Sequence, residues 1–356
     1  MSVKNYVHER LNELGLELKY FDSEKATGTE WQALNTFHNH GKLEMSPEDP
    51  PTPLQDTING LKSIPEFVVS KYWIVWRGEE AIAGVSYEFL KAEENRHLLE
   101  FDIYILPEFR RQGIGKLLLQ IIVDSAESHK RRLLLGNTDS SILAGEAFMQ
   151  RLGAEMGLAV DENRLVTGEV DGDLMQRWVT KAQERAGDLE LVLWTGPYPE
   201  DQLEKIAAML QVMNTAPTDD LDIEDVKFTP EQLRQTDETL AARNIERWTM
   251  LVCDPQNGAF AGYTQLYWKA TVPHKIYQGD TGVFPEYRGR GIGRWLKAAM
   301  MQKALAERPD VKYIDTGNAS SNQAMLKINH EMGFRLHKTW KNWQIETNKV
   351  KEYMDT

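Results

Sequence analysis

One cysteine, Cys253, stands in 356 residues. No internal disulfide can form, and a reducing, cytoplasmic compartment is the natural expectation. Long apolar runs are missing too: residues 1–20 hold nothing like a signal peptide and no window reaches the length of a membrane span, so no membrane partner is expected. Positive charge is scarce. The 41 basic side chains face 54 acidic ones, and a formal charge of -13 repels nucleic acid and anionic surfaces. His38-x-His40 is half a metal site with no cysteine cluster or carboxylate-rich helix nearby to complete it, so no metal is expected. What remains is a globular composition, 41% hydrophobic and 27% charged, in a chain long enough for two domains with a core each.

Glycine is concentrated where it matters. Residues 279–293, GDTGVFPEYRGRGIG, read as a strand of alternating small and apolar residues, a Pro-Glu stop, and Arg288-x-x-Gly291-x-Gly293 opening a segment of helical periodicity. A strand that turns into a helix start gathers backbone N–H groups and the positive end of the helix dipole at one point, which suits an anion. Glycines at 289, 291 and 293 let a phosphate approach with no Cβ in the way. A P-loop would continue with Gly-Lys and Ser or Thr, but Gly293 is followed by Arg294 and Trp295. A dinucleotide fingerprint needs G-x-G-x-x-G, but Gly291 and Gly293 lead into Trp295-Leu296.

The motif occurs twice. Residues 106–116, LPEFRRQGIGK, match 284–294, FPEYRGRGIGR, at the Pro, Glu, Arg, Gly, Ile and Gly, an offset of 288 minus 110, or 178 residues. Asp102 and Asp280 each precede the Pro by five residues; farther on, Gly136-Asn137 faces Gly317-Asn318 and Leu152-Gly153 faces Met332-Gly333. A period near half the chain length means two copies of one domain. In the first copy strands are expected at 16–21, 72–76, 82–89, 98–106 and 132–135, with further strand to 170, and helices at 29–45, 54–64, 113–129 and 144–152. A connecting helix at 171–185, capped by Gly187, puts the boundary between domains 1–187 and 188–356. The second copy repeats the order, with strands at 189–194, 247–253, 259–268, 311–316 and 336–345, and helices at 199–213 and 229–244.

The turn resembles the acyl-CoA pyrophosphate loop, R/Q-x-x-G-x-G/A, of the GNAT N-acetyltransferase superfamily, and the resemblance is carried by residues 98–153 and 277–334. It implies an α/β (α+β) fold of two tandem GNAT-like domains, each a mixed, mostly antiparallel twisted sheet with helices on both faces. It implies transfer of an acetyl group from acetyl-CoA, the acyl donor, to a primary amine of a small molecule by direct attack in a ternary complex, in a monomer or homodimer. The cofactor would lie on Val283, Phe284, Arg288, Gly289, Arg290, Gly291, Gly293 and Arg294, with Asn318 and Asn322 either on its arm or capping the next helix. The first-copy counterparts are Ile105, Arg110, Arg111, Gln112, Gly113, Gly115 and Lys116.

An alkyl amine is protonated at neutral pH, so the reaction needs a proton acceptor. Asp280 is the candidate, with Tyr277 and Glu286 as rivals and Asn318 as a further catalytic candidate; Asp102 in the same place of the other copy leaves a structural role open. Many family members carry, as general acid, a Tyr four residues before the Gly that closes the last helix, where this chain has Met149 and Asn329. That departure keeps a catalytically inactive CoA-binding sensor or scaffold as the alternative. The tandem layout is similar to mycothiol synthase-like proteins, in which the C-terminal copy is the transferase. Here that copy keeps Asn318, Asn322 and Gly333-Phe334, where the first has Ser141 and Gly153-Ala154.

Overall fold

The computed structural model describes residues 3–355. In chain order they form α1 (Val3–Glu13), β1 (Glu17–Tyr20), α2 (Gly28–Met45), α3 (Leu54–Lys62), β2 (Val68–Arg77), β3 (Glu80–Leu90), β4 (Leu98–Ile105), α4 (Ile114–Ser128), β5 (Leu133–Asp139), α5 (Leu143–Leu152) and β6 (Glu155–Val166). Then come α6 (Gly172–Ala186), β7 (Glu190–Thr195), α7 (Leu203–Leu210), α8 (Pro230–Ala242), β8 (Ile245–Cys253), β9 (Phe260–Lys269), β10 (Lys275–Val283), α9 (Ile292–Glu307), β11 (Tyr313–Ala319), α10 (Gln323–Met332), β12 (Arg335–Glu346) and α11 (Thr347–Asp355). The helix expected over 199–213 is shorter, because the chain tightens into 3-10 turns at Glu200–Gln202 and Gln211–Thr215 on either side of α7. Two helices, α1 and α11, were not anticipated. Helix α1 packs against α4 with Val7 and Leu11 fully buried, and α11 does so with Val350.

Two compact units result, each with a mixed, mostly antiparallel sheet. The first combines the chain up to 158 with 220–224 and everything from 340 on; the second holds 159–219 and 225–339. In the first, β1 to β4 are antiparallel neighbours, β4 and β5 are parallel, and β12 closes antiparallel on β5. In the second, β7 to β10 are antiparallel, β10 and β11 are parallel, and β6 closes on β11. Each sheet therefore takes its closing strand from the other sequence copy. The compact units do not follow the expected cut after 187: 159–187 packs with the second unit and 340 onward with the first. A strand's alternation says which face is buried but not which sheet it joins.

Local chemistry fastens both exchanged strands. On β6, Arg164 forms a two-pronged ion pair with Asp315 of β11 at 2.7 and 2.8 Å, and Lys275 reaches the same carboxylate at 3.0 Å. Asp315 is 1% exposed, so its charge depends on these partners. On β12, Trp343 donates its indole N–H to Thr138 at 2.8 Å and Ile345 is buried. In the second unit one core, with Trp295, Leu296 and Met300 of α9, lies on one sheet face, while α7 and α8 cover the other through Ile206, Leu210 and Leu233. Each such aliphatic side chain contributes roughly 1.5–3 kcal/mol on burial.

Candidate functional site

In the second unit β10 pairs with β11 only from Lys275 opposite Tyr313 to Gln278 opposite Thr316. Beyond that point the strands part: β11 continues along β6 and β10 along β9. Among the described residues no strand pairs with that edge of β10 over 279–283, which leaves backbone groups for an extended ligand to bond. A bulge marks the same place. Gln278 opposes Leu266 and Thr281 opposes Thr264, so Gly279 and Asp280 together face Gln265. Gly279 has no room for a side chain, since a Cβ would stand 2.7 Å from the Tyr267 ring.

Asp280 stands at this mouth, open to solvent, with the Tyr263 hydroxyl 3.5 Å from its carboxylate. The protein packed around it strips away enough hydration to raise its pKa above the ordinary carboxylate value. Tyr277 is half-exposed beside Gly317, and desolvation, followed by the charges of Glu162 and Asp280, raises its pKa as well. Tyr277 thus stays protonated at neutral pH and can donate a hydrogen bond but not accept a proton. A buried polar wall that the sequence reading missed lies behind them. Gln265 donates to the Tyr198 hydroxyl at 2.6 Å and accepts from Tyr267 at 3.2 Å, while Arg247 lies 3.5 Å over the Tyr198 ring and pairs with Asp237 at 2.7 Å. Its signal was the alternation of Arg247 with Thr249 and of Tyr263 with Gln265 and Tyr267, polar or aromatic where a strand in a core would carry aliphatics.

At the turn, Gly289 and Gly291 adopt φ of 80° and 85°, and a Cβ on either would meet nothing within 4 Å. Both border open space at the start of α9, where the first-turn N–H groups have no acceptor in the helix. Gly293 packs inward, with Ile328 and Val283 as the neighbours a Cβ would touch. Two of the expected contact residues are committed elsewhere. Arg288 donates from Nε to the Val283 carbonyl at 2.9 Å and from its guanidinium to Thr215 at 2.8 Å, bracing the turn, and the Phe284 N–H bonds to the Ala261 carbonyl at 3.0 Å. Arg290 lies 5.4 Å from the Tyr287 ring centroid and Arg294 pairs with Glu331 at 2.8 Å. Asn322 caps α10 by accepting the Met325 N–H at 3.2 Å. Asn318 accepts from the buried Asn329 amide at 2.6 Å, so the residue in the tyrosine's place ties α10 to β11.

The first unit has the same turn in different company. Its strands also part, after Phe101 opposite Gly136, but β4 pairs with β3 in unbroken register. Tyr104, where the second copy has Gly282, packs against Gly41 of α2 and donates to Glu44 at 2.9 Å. Arg110 bonds the Ile105 carbonyl at 2.9 Å and grips Glu44 with both nitrogens at 2.7 and 2.6 Å, holding that carboxyl below its usual range. Arg111 takes φ of 63° where the other copy has Gly289, Gln112 donates to the Glu108 carbonyl at 3.0 Å, and Gly113 caps α4 at φ of 83°. Gly115 faces Phe148 and Ile105, and Lys116 sits 5.4 Å from the Tyr353 ring centroid. Asp102 is raised above the ordinary carboxylate pKa by desolvation, as Asp280 is. His38 meets the Tyr72 hydroxyl at 2.9 Å, and burial lowers its pKa to about 4. Among the described residues no group of three or more His, Cys, Asp or Glu is arranged for a metal, and no helix is long and apolar enough to cross a membrane.

Known proteins share this fold. The acetyltransferase (GNAT) family model matches residues 34–154 and again 218–334, together more than half of the chain. A curated relative, the L-methionine sulfoximine/L-methionine sulfone acetyltransferase of Salmonella typhimurium, is 30% identical over 109 residues, which span 28% of this chain and 59% of that protein. A tandem GNAT protein from the clavulanic acid biosynthesis pathway superposes with a TM-score of 0.75 at 21% identity, covering 93% of this chain and 98% of its own. A GCN5-related N-acetyltransferase from Sphaerobacter thermophilus gives 0.62 at 13% identity, covering 94% and 96%. Two splayed sheets, two glycine turns and two family matches lead to one conclusion: the chain belongs to the GNAT acetyltransferase family and carries its domain twice.

Proposed function

We propose that the second unit transfers an acetyl group from acetyl-CoA to a primary amine of a small molecule by direct attack in a ternary complex. The observation that carries this reading is the meeting, on β10, of a free strand edge at 279–283, a bulge that presents Asp280, and a glycine turn open to an anion. The N–H groups from Gly289 to Arg294 hold the donor's pyrophosphate, and the edge at Val283 pairs with its amide-bearing arm. Asp280 takes the proton from the amine as its nitrogen bonds to the thioester carbon. The C–S bond then breaks, and a thiolate with a pKa near 8.5 leaves without a proton donor in the tyrosine's place. Tyr277 and Asn318 line the mouth and orient the acceptor.

The test is thiol release from acetyl-CoA across a panel of amines, including amino acid derivatives because the curated relative is named for two of them. Turnover with any amine, lost in Asp280→Asn, supports the reading. Asn329, a buried amide where an acid is common, favours a second reading, a CoA-binding sensor. Thermal stabilisation by CoA without turnover on any amine would decide for the sensor.

A further inference from the structure

Trp178, Lys181, Ala182 and Arg185 follow one another at i, i+3, i+4 and i+7 along α6, which is one face of that helix. α6 packs on α9 with Ala182 buried. At the start of α9 this face and Arg290, Gly291 and Arg294 line a cavity of about 170 Å³. Four cations and an aromatic ring surround it, with no carboxylate in the lining. Arg294 has Glu331 for a partner and lies 5.2 Å from the Trp178 ring centroid; among the described residues Lys181, Arg185 and Arg290 form no ion pair.

Local electrostatics opposes this grouping. Lys181 and Arg185 are like charges four residues apart, and Arg290 and Arg294 stand at the positive end of a helix dipole. Each arrangement is unfavourable by itself and is relieved when an anion joins it. In a chain with a formal charge of -13 the cluster is not background. The first unit lacks it: α11, which follows β12 as α6 follows β6, brings Tyr353 over Lys116, while its Lys349 and Lys351 pair with Glu155 and Glu127.

We propose that this cavity is a phosphomonoester subsite that receives the 3′-phosphate of the donor's nucleotide end, with the Trp178 ring as a wall beside it. It rests on the proposed function and adds to it that the helix joining the two copies selects the 3′-phosphorylated carrier over the dephosphorylated one. Calorimetry with CoA and with dephospho-CoA, on the wild type and on a Lys181→Ala, Arg185→Ala double variant, tests it. Both side chains are exposed, so the variant is expected to fold. The expected result is wild-type binding of CoA at least about tenfold tighter than of dephospho-CoA, the effect of one or two charge-assisted hydrogen bonds. The variant loses that preference and binds dephospho-CoA unchanged. Equal wild-type affinities, or a preference that survives in the variant, overturn the subsite and leave the acetyl-CoA assignment standing; a wild type that binds neither ligand removes both.

Discussion

Gly113 and Gly291 share a backbone conformation, φ of 83° and 85°, cap matching helices and border open space. Their surroundings differ within one turn. Around Gly113 the motif arginine is locked to Glu44, the preceding strand is unbroken, and Tyr104 fills the strand end. Around Gly291 the motif arginine bonds a carbonyl and a hydroxyl and has no carboxylate partner among the described residues, the strand is bulged, and four more cations gather. One difference is a swap of knob and hole: Tyr104 fits over Gly41 in the first unit, while in the second Val212 fits over Gly282, where a Cβ would come within 2.4 Å. A shared glycine turn is therefore a statement about backbone, and capacity for chemistry is set by the residues that meet it.

The comparison is broken most severely by charge at the turns. Gly291→Glu should abolish turnover, whereas Gly113→Glu should leave it near the wild-type rate. Both substitutions force a side chain into a left-handed backbone at a similar cost of roughly 1–2 kcal/mol, so strain cancels between them. Equal loss of steady-state thiol release in the two variants would argue against a single working copy. Next in size, Asp280→Asn should lower kcat by about 10²- to 10⁴-fold, the usual range for a lost general base, with Asp102→Asn unchanged. Both carboxylates have folded pKa values raised above their unfolded ones. That contributes stability only below the unfolded pKa and loses it as pH rises through the folded value. Both side chains are solvent-exposed, which screens the effect, so either asparagine variant should melt only slightly higher than wild type at pH 7, with a gain that fades as the pH is lowered towards about 4.

A stability contrast follows from α4 and α9. Lys297 is buried where the first copy has Leu119, and burial lowers its pKa to about 7. The folded state binds that proton less tightly than the unfolded chain, so wild-type stability rises with pH between about 7 and 10. Lys297→Met should raise the melting temperature by roughly 5 °C or more at pH 6, with the gain shrinking towards pH 10. An unchanged melting temperature at pH 6 would place the ammonium in contact with water. The smallest effect belongs to Glu44→Gln. The pair with Arg110 is partly exposed, so its loss should cost only about 1 kcal/mol, or a few degrees of melting temperature, with turnover unaffected. Because Arg110 holds the Glu44 carboxyl low, that difference should be present at neutral pH and vanish as pH falls through the folded pKa.

Much of this was written in local pattern. The two turns, the strands that lead to them and the repeat were legible because glycine, proline and hydrophobic period act within a few residues of one another. Asp280 was visible as a carboxylate, but the bulge that turns it to the mouth was not, since Gly279 carries no pattern beyond permissiveness. The exchange of β6 and β12 was hidden for a different reason: it depends on Arg164 meeting Asp315, 151 residues away, and on Trp343 meeting Thr138, 205 away. Asn322 shows the reverse limit. Its capping role was as readable as its cofactor role, and it is seen here as a cap.

Calorimetric titration of the full chain with acetyl-CoA tests the contrast between the units most directly. One site per chain is predicted, lost in Gly291→Glu and retained in Gly113→Glu. Two equivalent sites, or a single site that disappears with Gly113→Glu, would contradict it.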